Sequence, residues 1–336
     1  MTMTKRPFGR TGMAISRLGF GTWAAGGSKM LPGWGDQDDD QSLAAMRRAS
    51  EADVNWIDTA AIYGLGHAEE LCGRVLRDYP EPDRPLLFTK CGPVAVNTGD
   101  RVVVQSDLSP AGIMRQVDDS LRRLGVGVLD VLYVHWPPAS GVPRVEEYWQ
   151  VMADLRDQGK VRAIGLSNHG IEELEAAETV AHVDTVQPPF SAIHREAAAE
   201  LFTWCRKQST AVIAYSPMQS GLLSGRFTEA RAAALPPADW RSRDSDFTAP
   251  ALQRNLQVAD AMMAVARRHD ASPSAVAVAW VLAWSDVTGA IVGARSHTQV
   301  DEWIGAPAIS LSREDMTLIS SVITTSGAGS GPAEPT

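Results

Sequence analysis

Eight short apolar runs recur along this chain of 336 residues, and each is followed by a stretch with helical periodicity. The runs span 18–23, 54–57, 85–89, 128–134, 161–166, 183–186, 211–214 and 289–292. Helical spacing of apolar residues follows near 41–51, 69–78, 111–123, 145–158, 171–177, 196–207, 251–284 and 298–304, the longest being broken near Ser272–Pro273. Continuous apolar strands alternating with helices predict a parallel sheet covered by helices. Eight such units match a closed (β/α)8 TIM barrel of ~250 residues with insertions. An open doubly wound sheet fits less well, because no GxGxxG turn follows the first run.

Phe8, Ile15 and Leu18 flank a turn at Arg10–Thr11–Gly12, which predicts an N-terminal β-hairpin ahead of the barrel. No composition break divides the chain, so residues 1–323 read as one domain. The small, polar tail over 324–336 (TTSGAGSGPAEPT) reads as disordered. Two long connections, 93–109 and 226–250, both follow strand ends and are expected to wall the C-terminal mouth of the barrel.

The 31 basic and 40 acidic residues leave a net charge of −9, which argues against nucleic acid or an anionic membrane as partner. No apolar stretch is long enough to span a bilayer, and residues 1–10 carry no signal core. The cysteines, Cys72, Cys91 and Cys205, are odd in number and well separated, with no CxxC pair and no His-rich metal pattern. Free thiols in a reducing cytoplasm are expected, with no bound metal. No motif sets the oligomeric state.

The residue that closes each apolar run carries the chemistry. The strands end in Asp58, Lys90, His135, Ser167–Asn168, Gln187 and Tyr215. In a barrel these positions converge on one mouth, where active sites lie. A single polar strand end is an ordinary capping group. Six together, with an acid, an ammonium and an imidazole among them, point to a shared site.

Seven segments then resemble one family. They are LGFGTW (18–23), NWIDTAAIYGLGHAEELCG (55–73), LLFTKCG (86–92), DVLYVHW (130–136), IGLSN (164–168), YSPMQSGLLSG (215–225) and IVGARSHTQVDEW (291–303). The chain is similar to the aldo-keto reductases from about Phe8 to Trp303. That resemblance implies NAD(P)H-dependent reduction of a small aldehyde or ketone, an aldose or another polar carbonyl. Tyr63 would be the general acid. Lys90 and Asp58 would adjust its acidity, with the ammonium expected to lower the phenol's pKa. His135 would donate a hydrogen bond to the carbonyl oxygen.

The same resemblance implies a coenzyme site. Gly21, Thr22, Trp23 and Asp58 would meet the coenzyme from the first two strands, and Ser167, Asn168 and Gln187 would hold the nicotinamide carboxamide. Tyr215 would stack on the nicotinamide. Ser216, Pro217, Met218, Ser220, Gly221, Leu222 and Gly225 would line the pyrophosphate. Gly293 and Ala294 would open a helix beside the adenosine. Arg295 would meet the 2′-phosphate, favouring NADP(H) over NAD(H), with Ser296 adding a hydroxyl. Gln299 and Glu302 would reach the adenine. Trp303 stands where the family often has Asn. Trp23, Tyr63, His135 and Trp136 would line the substrate pocket. Two other classes remain open on these residues: a Schiff-base aldolase or lyase using Lys90, and a non-catalytic NADPH-binding redox-sensor subunit.

Overall fold

The computed structural model describes residues 3–27, 35–97, 102–237 and 239–335. Its centre is a closed barrel of eight parallel strands, each of the runs above contributing one. In chain order, two hairpin strands β1 (Lys5–Pro7) and β2 (Ala14–Ser16) precede the first barrel strand β3 (Leu18–Gly21). Then come α1 (Asp39–Glu51), β4 (Trp56–Asp58), α2 (His67–Leu76), β5 (Leu86–Cys91), β6 (Pro93–Asn97), β7 (Val102–Ser106), α3 (Pro110–Leu124), β8 (Leu129–Val134) and α4 (Val145–Asp157). The second half runs β9 (Val161–Ser167), α5 (Ile171–Glu178), β10 (Thr185–Gln187), α6 (Leu201–Gln208), β11 (Ala211–Ala214), α7 (Glu229–Ala233), α8 (Ala251–Arg268), α9 (Pro273–Leu282), β12 (Val287–Gly293), α10 (His297–Trp303) and α11 (Arg313–Ser326). The barrel closes where β12 pairs with β3, Ala290 beside Leu18 and Gly293 beside Gly21.

The barrel is packed, as a small eight-stranded barrel must be. Trp56, Phe88, Val131, Tyr133, Ala163, Ile213 and Ile291 fill its axis, and Phe8, Met13 and Ile15 of the hairpin plug the lower end. Trp56 lies so close to Gly19 that a Cβ there would overlap its indole ring. A second, larger apolar layer joins the outer strand faces to the helices. The break expected near Ser272 is real: Ser272 caps α9 by accepting from the Ala275 amide, and Pro273 starts the helix.

Three expectations change. In the long connection over 93–109, residues 93–97 and 102–106 are strands. Pro93–Asn97 and Val102–Ser106 pair as a separate antiparallel two-stranded sheet after β5, favoured by the β-branched Val94, Val96, Val102, Val103 and Val104. The helix α11, unmarked in the periodicity, starts at a Ser312/Asp315 capping box. The tail is ordered on the barrel rather than disordered. Gly327 ends α11, Ala328 is buried, and Ser330 pairs with His194. Arg195 causes this: its guanidinium donates to the carbonyls of Ala192, Ile193, Ala328 and Gly331 and so satisfies the strap's backbone. No helix among the described residues is long and apolar enough to cross a membrane.

Candidate active site

The mouth is assembled from strand ends. Asp58 closes β4, Lys90 lies one residue inside the end of β5, and His135 follows β8. Register places them side by side, with Asp58 beside Phe88 and Lys90 beside Tyr133. The Lys90 ammonium donates to Asp58 Oδ1 at 2.5 Å and to the Thr59 carbonyl at 2.9 Å. Gln187, from β10 across the barrel, donates from Nε2 to Asp58 Oδ2 at 2.9 Å. Lys90 and Asp58 are both buried. Burial pushes the carboxyl up and the ammonium down, while their mutual attraction opposes both shifts. They therefore titrate as a unit.

Tyr63 is set beside this pair by a local backbone device. It opens a short 3-10 turn in which Gly64 takes a left-handed φ of 59°. Gly64 packs directly on Gly26, in the turn after β3, and a Cβ on Gly26 would lie 2.6 Å from the Gly64 amide nitrogen. Only glycine allows that approach. Lys90 Nζ then lies 5.3 Å from the centre of the Tyr63 ring, and the His135 ring meets the same phenol edge-on at 5.7 Å.

The expected lowering of the Tyr63 pKa does not occur in this state. Burial first, then the Asp58 charge, push the phenol well above its usual value. The dominant cause is burial, which strips the phenolate of its hydration; the negative charge of Asp58, held 2.5 Å from the Lys90 ammonium, adds to it. His135 moves the other way: burial and the Lys90 charge hold it well below its ordinary 6.5, so the ring is neutral at pH 7. Its Nδ1 is buried without a hydrogen-bond partner among the described residues.

The carboxamide triad is also brought together, but its groups are engaged. Asn168, at φ 63°, donates to the His135 carbonyl at 2.9 Å and to Ser167 Oγ at 3.0 Å. Its Oδ1 accepts from the Tyr215 hydroxyl at 2.8 Å. Ser167 Oγ donates to the Gln187 carbonyl at 2.9 Å. Thr22 donates from its amide and its hydroxyl to the Asp58 carbonyl, fastening the turn after β3 to β4.

After Tyr215 the chain bends through left-handed φ at Ser216, Gln219, Ser220 and Gly221. The amides of Met218 and Ser220 carry no hydrogen bond among the described residues, so this concave segment offers donors to an anion. Sequence reasoning missed what holds it: Gln219 donates to Asp246 at 2.7 Å, and His194 pairs with the same carboxylate at 2.7 Å. No local motif marks that contact.

At the far end, Arg295 is brought to the edge of the mouth by β12, and its own amide donates to Gln299 Oε1 at 2.8 Å. Ser296 Oγ faces Thr298 Oγ1 at 2.9 Å. The Glu302 carboxylate is paired at 2.6 Å with Arg226 of the long loop. Trp303 is buried as packing. Trp23 lies 5.9 Å from Trp240, a wall contributed by two loops, while Trp136 is half exposed and stacks beside His135. Cys91, next to Lys90, is buried with its thiol pushed up to about 12, so it is no nucleophile. No group of three metal-ligating side chains occurs among the described residues.

Known proteins are similar to this chain over nearly its whole length. Residues 17–324 match the Aldo/keto reductase family. The chain is 32% identical over 314 residues to Aldo-keto reductase YhdN of Bacillus subtilis (strain 168), covering 93% of this chain and 91% of that one. It is also 32% identical over 327 residues to the NADH-specific methylglyoxal reductase of Escherichia coli (strain K12), covering 94% and 97%. Among solved structures, a glycerol dehydrogenase from Gluconobacter oxydans superimposes with a TM-score of 0.85 at 32% identity, covering 96% of this chain and 95% of that one. Barrel, strand-end residues and near-full-length matches agree: the chain belongs to the aldo/keto reductase family.

Proposed function

We propose that the protein is an NADP(H)-preferring carbonyl reductase in which Tyr63 delivers the proton. The carrying observation is the convergence of Tyr63, the Lys90–Asp58 pair and neutral His135 at one barrel mouth. A reduced nicotinamide, when bound, supplies the hydride. The protein's part is to hold the carbonyl and supply the proton. Neutral His135 donates an N–H to the carbonyl oxygen, where negative charge grows. The Tyr63 hydroxyl gives its proton to that oxygen. Its elevated pKa keeps the proton in place until then, and the adjacent ammonium stabilises the phenolate left behind.

The chain's own groups fit the coenzyme. The Tyr215 ring is partly exposed at the mouth, the 216–221 segment offers unpaired amides, and Arg295 provides a cation beyond it. Arg295 supports the preference for NADP(H). Asn168 and Gln187 would exchange part of their internal hydrogen bonds for the carboxamide. The relatives' names, a methylglyoxal reductase and a glycerol dehydrogenase, support a small carbonyl compound with a neighbouring oxygen as substrate. Three buried free thiols and a net charge of −9 support a cytoplasmic protein that binds neither membrane nor nucleic acid. The Schiff-base and sensor readings gain no support: Lys90 is committed to Asp58 and Thr59, and the proton-delivery set is intact.

The test is a panel of hydroxy-aldehydes and 1,2-dicarbonyls with NADPH and with NADH, read at the reduced-nicotinamide absorbance. Carbonyl-dependent oxidation, faster with NADPH, is expected. No oxidation, with borohydride trapping of substrate on Lys90, would overturn the proposal.

A further inference from the structure

Arg295 is not a loose surface arginine. Its Nε donates to Gln37 Oε1 at 2.7 Å, and its Nη2 donates to the Asp36 carbonyl. Gln37 returns a bond, donating from Nε2 to the Arg295 carbonyl at 2.9 Å. The two residues are 258 positions apart. Gln37 is itself held firmly. It immediately precedes Asp38, the N-cap of α1, whose carboxylate accepts from the Gln41 amide. Its Nε2 also reaches Ser42 Oγ at 3.1 Å. The underlying helices are joined by an ion pair, Arg48 to Asp301 at 2.7 Å, between α1 and α10.

A guanidinium has two forked edges suited to bidentate recognition of an oxyanion. Here one edge, Nε with Nη2, is spent on the chain before α1. The other edge, Nη1 with Nη2, is left for a ligand, and its direction is fixed by α1 rather than by a flexible stem. A cation whose rotamer is already ordered loses less freedom when it binds phosphate. We propose that Gln37 is a positioning residue for coenzyme choice: it orients Arg295 so that the free edge receives the adenosine 2′-phosphate. This rests on the assignment of Arg295 to that phosphate. NADH has no 2′-phosphate to meet that edge, so the contribution is specific to NADPH.

The experiment is calorimetric titration of the full-length protein with NADPH and with NADH, for the unmodified chain, Gln37→Met, Gln37→Ala, Arg295→Met and the double variant Gln37→Met/Arg295→Met. Both Gln37 variants should lower the NADPH-to-NADH affinity ratio by about three- to tenfold, with Arg295→Met lowering it further. In the Arg295→Met background the Gln37 change should have no further effect on the ratio, which is the signature of coupling. A loosened α1 would weaken both coenzymes alike and leave the ratio unmoved, which overturns the inference. A rise in the ratio does so too, since it would make Gln37 a competitor of the phosphate. If Arg295→Met itself leaves the ratio unchanged, the 2′-phosphate assignment fails. If Arg295→Met lowers it and Gln37→Met does not, only the role of Gln37 fails.

Discussion

Gln187 and Asp58 lie 129 positions apart in sequence, and the amide of one donates to the carboxylate of the other at 2.9 Å. Lys90 holds the opposite oxygen of the same carboxylate. Asp58 is thereby fixed from both sides, and the lysine beside Tyr63 is fixed through it.

Gln187→Leu removes a charge-assisted hydrogen bond from a buried carboxylate, a loss of about 1.5–3 kcal/mol. If that stabilisation serves the transition state, kcat/KM for carbonyl reduction falls by about ten- to a hundredfold. Steady-state kinetics with either coenzyme checks this. Unaltered kcat/KM would show that Asp58 needs no support from β10.

The pH profile follows from the two ring groups. Reduction uses the protonated phenol, and burial with the Asp58 charge keeps Tyr63 protonated past pH 10. It uses neutral His135, which burial and Lys90 hold below pH 6.5. The rate of reduction should therefore be flat from about pH 7 to about pH 9. Oxidation of the alcohol needs the phenolate and should rise with alkali over the same span. A descending limb in reduction near about pH 8 would contradict the elevated Tyr63.

Gly64→Ala places a Cβ against the Gly26 carbonyl at a φ of 59°. Left-handed strain plus overpacking costs about 2–4 kcal/mol. Because the contact sets the turn that carries Tyr63, kcat should fall as well. Denaturant unfolding and turnover of the same preparation measure both; a destabilised variant with intact kcat would separate the turn from Tyr63.

Arg195→Met leaves the carbonyls of Ala328 and Gly331 without their donor. The strap should detach at a cost of about 2–3 kcal/mol. Hydrogen exchange should rise over residues 328–331. Protection equal to that of the unmodified chain would mean that Arg195 does not order the tail.

Much of this was legible in the sequence because a barrel turns chain order into geometry. Asp58, Lys90 and His135 each close or nearly close an apolar strand, so register alone brings them to one mouth. Tyr63 was marked by its motif, whereas the Gly26–Gly64 contact that seats it needs two separate turns to meet. The strands 93–97 and 102–106 carry a readable β-branched signal, Val94 and Val96 in one and Val102, Val103 and Val104 in the other, hidden by the habit of treating long connections as loops. The tail misled because its composition is that of a disordered segment; its order comes from Arg195, more than a hundred positions upstream. Gln37 and Asp246 carry no local signal, since each matters only through a partner on a distant element. The phenol's direction of shift was misjudged because the lysine was read without the burial of the ring, which outweighs it, and without the Asp58 charge beside it.

The claim that Tyr63 is the proton donor is tested most directly by Tyr63→Phe, which removes one hydroxyl and keeps the ring. Carbonyl reduction and NADPH affinity are measured on the same protein. A loss of about a thousandfold in kcat, with NADPH affinity within about twofold, is the expected result. Turnover within about tenfold of the unmodified enzyme, or a parallel loss of NADPH binding, would contradict the assignment.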